Sequence, residues 1–215
     1  MLHANVDRDQ ILATLAPLCP GIEPDILQDF TTRMDADYFA AFPPKVLAQH
    51  IALAARLTPD HPCEIRFAKL DRTRWTITIV AYDYFSEFAT ICGLLSAFGL
   101  NIEEGRIFTS AESEPARSGR SNTSYGTRPR PQGRPGLTRK KIVDVFTVTP
   151  TEGEPFTAED QKRLAEQLSR MIVLLDTNEF DEARQQVNRQ LIEHLGTRRS
   201  SFSGLLHTVH ITFDN

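Results

Sequence analysis

The stretch WTITIVAYDYFSEFATICGLLSAFGLNI, Trp75–Ile102, changes its hydrophobic period twice, and those changes decide the fold. Trp75 to Ala81 is a short run of β-branched and aromatic residues, which suits a pleated strand. The period then lengthens: Phe88, Ile91, Cys92, Leu95 and Phe98 fall on one face of a helix, with Ser86 placed to cap its start and Gly99 just past its end. From Asn101 to Thr109 the chain returns to a strand pattern.

The flanks extend this reading in both directions. Upstream, Glu64 to Lys69 forms another strand. The first sixty residues read as helical: Ile11, Leu12, Leu15 and Leu18 recur at helical spacing before Pro20-Gly21, a second face carries Ile22, Ile26, Leu27, Phe30 and Met34, and a third helix starts near Pro43-Pro44. Downstream, Ile142 to Thr149 is a strand with Val143 and Val145 on one side and Ile142, Phe146 and Val148 on the other. Thr157 followed by Asp160 is a capping-box start for a helix through Leu164, Leu168, Met171, Ile172 and Leu175. A further helix carries Ala183, Val187, Leu191 and Leu195 and stops at Gly196, and His207 to Phe213 is the last strand candidate.

From Trp75 onward the order is strand, helix, strand, strand, helix, with His207–Phe213 expected to supply a final strand. The expected fold class is therefore α+β: a ferredoxin-like βαββαβ unit, an antiparallel sheet with helices on one face, preceded by an N-terminal helical segment. The expected divisions are 1–60, helical; 61–180, the αβ domain with a basic insertion at 111–141; and 181–215, a helix plus a C-terminal strand. A weak repeat lays Glu64-Ile65-Arg66-Phe67 on His210-Ile211-Thr212-Phe213, so a second module is expected where the chain ends at Asn215.

A formal net charge of -4 gives no global attraction to phosphate backbones or anionic membranes. No run reaches the roughly 18 to 20 apolar residues needed to cross a bilayer, and a cytoplasmic location is expected. Cys19, Cys63 and Cys92 are scattered and odd in number, which argues against a disulfide framework or a metal-ligand spacing.

Several of these residues carry a resemblance. Asp83, Phe88, Leu95, Gly99, Asn101 and Ile102, with the later strand Ile142 to Val148, resemble an ACT domain, whose pattern is an apolar strand ending in Asp, a tight turn, a helix, then Asn-Ile opening the next strand. Phe30, Arg33-Met34, Tyr38, Pro43-Pro44 and His50 are similar to the helical segment ahead of the paired ACT domains in PII uridylyltransferases, the bifunctional uridylyltransferase/uridylyl-removing enzymes. Val209 to Asn215 is similar to the strand that leads into the second of those domains. No Gly-Ser nucleotidyltransferase signature and no His-Asp metal doublet is found, so the resemblance implies regulation without catalysis, with no catalytic residue, metal or cofactor.

What the resemblance implies about a site is specific. An amino-acid ligand, glutamine-like in a nitrogen-responsive protein, would sit where two ACT modules meet, at Asp83, Tyr84, Phe85, Ser86, Glu87 and Phe88 together with Asn101 and Ile102. Unpaired N–H groups and the positive dipole end of the helix would favour its carboxylate. Two residues depart from the pattern: Phe85-Ser86 stands where Pro-Gly is usual, and Glu87 adds a carboxylate beside the site. A module that has lost its ligand and serves for dimerisation or docking is the alternative, and a homodimer or ACT–ACT pairing is expected under either reading.

The insertion Ala111–Lys141 holds eight basic and two acidic residues. It reads as a solvated linker; as a nucleic-acid arm it would act through Arg117, Arg120, Arg128, Arg130, Arg134 and Arg139, with Tyr125 for stacking. Nucleic-acid binding is the lesser expectation. His207 and His210 lie three apart on a strand pattern and so face opposite ways, and His50 is expected to be a packed, hydrogen-bonded residue.

Overall fold

The computed structural model describes residues 7–84, 87–112, 139–151, 155–177 and 179–198. Four helices come first: α1 (Arg8–Leu15), α2 (Pro24–Arg33), α3 (Ala36–Ala41) and α4 (Pro44–Ala54). Their starts follow from local chemistry. The Asp7 carboxylate accepts from the amides of Asp9 and Gln10, Asp35 accepts from Tyr38, and Pro24 and Pro44 occupy first-turn positions whose missing N–H costs nothing. Helix α3 is an element the periodicity did not separate from its neighbours.

There follow β1 (Cys63–Lys69), β2 (Trp75–Tyr82), α5 (Glu87–Ala97), β3 (Leu100–Thr109), β4 (Lys141–Pro150), α6 (Ala158–Asp176) and α7 (Phe180–Arg198). Gly99 takes φ +69° directly after α5, a left-handed conformation that stops the helix without a Cβ penalty. The capping box of Thr157 and Asp160 is present in full at the start of α6.

The four strands form one antiparallel sheet in the order β1-β2-β4-β3. Because β4 pairs antiparallel with both neighbours, β2 and β3 run in the same direction with β4 between them. The outer position beside β2 is filled by β1, from upstream, whereas the sequence assigned the final strand to His207–Phe213. That segment lies outside the described residues.

Helices cover both faces of the sheet, which corrects the expectation of helices on one face only. On one side Ile77, Ile79, Ile142, Phe146 and Val148 pack with Ile91, Leu94 and Leu95 of α5, Leu164, Leu168, Met171 and Ile172 of α6, and Ala183 and Val187 of α7. On the other, Val80, Tyr82 and Val143 pack against Leu27, Phe30, Met34, Tyr38, Leu47 and Ile51 of the N-terminal helices. Double coverage explains why β2 is buried without interruption from Ile77 to Tyr82.

Helix α2 is also bonded to the root of the insertion. Arg33 Nε donates to the Ala111 carbonyl at 2.7 Å, and the Ala111 amide returns a bond to the Arg33 carbonyl at 2.9 Å. Opposite it, the Ser110 amide donates to the Lys141 carbonyl and the Lys141 amide to Ser110 Oγ, each at 2.8 Å, while Lys141 Nζ reaches Asp29 at 3.4 Å. The two ends of the insertion are thus held side by side.

Candidate functional site

The turn after β2 is where the sequence places most of the site. Asp83 is exposed, and its amide donates to the Lys140 carbonyl at 3.0 Å; Tyr84 is half-buried against the hydrophobic clusters on both faces. Phe85 and Ser86 lie outside the described residues, and Glu87 is the first residue of α5. Phe88, expected on the buried face, is 53% exposed, with its ring stacked 6.3 Å from that of Phe146. Leu94 takes the buried place instead, because the seam of α5 against the sheet runs through Ile91, Leu94 and Leu95.

Two charged residues give this turn its electrostatics. The Arg139 guanidinium lies 4.5 Å from the ring centre of Tyr82 and 4.9 Å from that of Tyr84, and bonds Asp176 at the end of α6 at 2.6 Å. It therefore fastens the start of β4 to β2, the turn and α6 at one point. Asp144, two residues before Phe146 on β4, stands between Ile79 of β2 and Ile107 of β3, and is only 1% exposed. Its Oδ1 has no hydrogen-bond partner. Burial first, and the field of Asp83 second, push its pKa up to about 7. Burial also raises the Cys92 thiol, and the Asp144 charge adds to the rise, which places Cys92 of α5 within the field of Asp144. A carboxyl in this state can hold or release a proton near neutrality, or pair with a donor brought to it.

Asn101 and Ile102 lie elsewhere. They open β3 opposite Thr149 and Val148, whereas Tyr82, just before the turn, is opposite Lys141 at the other end of β4. Eight residues of strand separate the two places, roughly 27 Å. Both Asn101 and Ile102 are exposed. One chain accordingly does not bring the two halves of the expected site together.

Asp144 and Arg139 are the residues that sequence reading missed in this role. Alternation places Asp144 on the same side of its strand as Ile142, Phe146 and Val148, and an acid in that series was the available signal. Arg139 was grouped with the basic arm, but it is committed to Tyr82, Tyr84 and Asp176. Arg117, Arg120, Arg128, Arg130 and Arg134 lie outside the described residues, as do His207 and His210.

His50 is packed as expected, 2% exposed, with its Nδ1 3.0 Å from the Tyr38 hydroxyl. Burial, then the charge of Arg66, lowers its pKa to about 4, so the ring is neutral. None of the three cysteines forms a disulfide, and Cys19 and Cys63 are buried. Among the described residues, no three His, Cys, Asp or Glu side chains gather as metal ligands, and no helix is long and apolar enough to cross a membrane. No protein-family model matches the chain, and no curated protein matches it significantly.

Proposed function

We propose that the chain is a non-catalytic regulatory module of the ACT type, which pairs with a second copy of itself and senses or transmits the level of a small amino acid. The finer fold proposed is a ferredoxin-like sheet in which β2, β4 and β3 are the core strands and β1 stands in for the last one. What supports this is the sheet order, in which two like-directed strands joined through α5 are separated by β4.

The observation that carries the pairing is the outer edge of β3. Among the described residues this edge has no neighbour, and Asn101 to Ile107 is exposed throughout. A long strand edge with unpaired N–H and C=O groups is ordinarily covered or blunted. Antiparallel pairing of two such edges about Gly105 would set Glu104 of each copy opposite Arg106 of the other, an opposite-charge cross-strand pair. The two already form a 2.8 Å ion pair within the chain, with both side chains about half exposed, so the exchange costs little. The same pairing would carry Asn101 of one copy toward the Thr109 end of its partner, which is the end bearing the partner's Asp83 turn. The two separated halves of the ligand site would then approach across the interface.

The test is a charge swap followed by sedimentation. Glu104→Lys and Arg106→Glu should each sediment as monomers, and their equimolar mixture should recover the dimer of the original chain. A monomeric original chain, or variants that dimerise as well as it does, would overturn the pairing. On the dimer, millimolar glutamine or another free amino acid should raise the melting temperature. A dimer that responds to none of them would leave the second reading, a docking module without a ligand.

A further inference from the structure

The opposite end of the sheet from the Asp83 turn holds a groove of about 570 Å³, bounded by the β1–β2 hairpin, Asn101 near the start of β3, the end of β4 and Phe156. That volume lies within the range of pockets that take a small organic molecule and is far larger than a lone inorganic ion requires. Its apolar wall is aromatic. The Trp75 indole is half-buried and meets Phe156 edge-on, 5.5 Å between ring centres at 86°, and Phe67 in turn fixes Phe156 at 5.7 Å.

The polar groups around this wall differ in whether they are already engaged. Arg74 is bonded to Asp71 at 2.7 Å, and Asp71 also accepts from the amides of Thr73 and Arg74. The hydroxyl of Thr149 donates to Glu103, and that of Thr151 to the Gly99 carbonyl. Lys69 and Arg72 have no carboxylate partner among the described residues; the Lys69 ammonium rests 5.8 Å over the indole. The Asn101 side chain lines the same groove and is exposed. Asp71 and Glu103, the acids bonded to groups around this groove, are therefore both taken up, while Lys69, Arg72 and Asn101 beside the aromatic wall have no such partner among the described residues.

We infer that this groove binds a small anion that carries a flat aromatic ring, its charge met by Lys69 and Arg72 and its ring by the Trp75–Phe156 wall. A cation held only over an indole is available to an anion that offers it a charge-assisted hydrogen bond, and a planar ring supplies the stacking surface that the ammonium leaves. The anionic group can be a carboxylate or a phosphate. The inference does not depend on pairing through β3, since every residue it uses belongs to one chain.

Trp75 is the chain's single tryptophan, so its emission reports on the groove directly. The full chain would be titrated with phenylacetate and phenyl phosphate, and with acetate, inorganic phosphate and 2-phenylethanol as partial ligands, calorimetry serving as a second readout. Saturable binding of at least one aromatic anion, tenfold or more tighter than its own ion and than the neutral alcohol, is expected, and the tighter of the two identifies the anionic group. Lys69→Ala with Arg72→Ala should weaken it at least tenfold at an unchanged melting temperature. Glu104→Lys, which would split the pair of chains, should leave the titration as it was. Absence of saturation with both aromatic anions, equal binding of the lone ions, or an unaffected double variant would overturn the inference.

Discussion

A Cβ built on Gly93 of α5 would stand 2.7 Å from Cγ1 of Val187 on α7, closer than real side chains approach. The glycine is therefore what lets α7 lie against α5. Gly93→Ala gains about 1 kcal/mol of helix propensity but overpacks the contact, at a cost of about 1–3 kcal/mol, and a β-branched Val187 has little freedom to yield. Net destabilisation by chemical denaturation is expected. Val187→Ala should cost at least about 1 kcal/mol less in the Gly93→Ala background than alone. Strict additivity of the two substitutions would mean that α7 does not depend on this contact.

Asp144 and His50 make opposite demands on pH. The folded chain keeps the Asp144 proton up to about pH 7, against an ordinary value of 3.8, so the stability tied to that proton is full below about pH 4 and is lost as pH rises to 7. His50 stays neutral down to about pH 4, against 6.5, so its contribution is full above about 6.5 and is lost as pH falls to 4. Between those limits the two slopes, each up to about 1.4 kcal/mol per pH unit, largely cancel. Relative to the original chain, Asp144→Asn should make the melting temperature climb from pH 4.5 to 6.5, and His50→Asn should make it fall. Profiles that run parallel to the original would show that neither group is perturbed as its burial implies.

Much of this fold is legible in the chain because it is set locally. The period change around Tyr82, the stop at Gly99 and the Thr157–Asp160 box each depend on a few neighbouring residues, and each sits where the sequence places it. Sheet order is another matter, since which strand lies beside β2 depends on long-range pairing, and β1 holds a place that sequence pattern alone gave to a later segment. The second helical layer left a trace that was open to reading: Ile77 to Tyr82 shows no polar alternation except Thr78, as a strand covered on both faces should. Phe88 misled because periodicity assigns a face to a helix without saying where along the helix that face meets the sheet. The expected site was legible only as a pattern. A motif marks Asp83 and Asn101 as neighbours in sequence pattern, whereas the strand direction places them at opposite ends of the sheet.

Arg139 joins β2, the turn and α6, and is one-third exposed, so its ion pair with Asp176 is partly screened. Its planar contacts with Tyr82 and Tyr84 should matter more than its charge. Arg139→Ala is expected to cost about 1–2 kcal/mol in denaturant unfolding. Arg139→Lys should restore less than half of that, because an ammonium keeps the charge without the stacking plane. Full rescue by lysine would assign the effect to the ion pair.

The root of the insertion predicts how the chain tolerates its removal. Ser110 and Lys141 exchange two 2.8 Å bonds, so the two described ends of the insertion lie side by side and need not move when residues 113–138 are replaced. Replacing them with a Gly/Ser linker of about six residues shortens the closed loop and should leave stability unchanged or raise it by about 1 kcal/mol. Pairing, if it runs through β3, should survive as well. Any retention on immobilised DNA or RNA should vanish with the segment that holds Arg117, Arg120, Arg128, Arg130 and Arg134, and any retention should weaken steeply with salt beforehand. Arg33→Ala is the opposite case. It keeps the insertion but removes a buried guanidinium that holds the Ala111 carbonyl and Asp29, and should cost about 2–3 kcal/mol. A deletion that unfolds the chain while Arg33→Ala leaves it intact would reverse the roles assigned here to the insertion and its clamp.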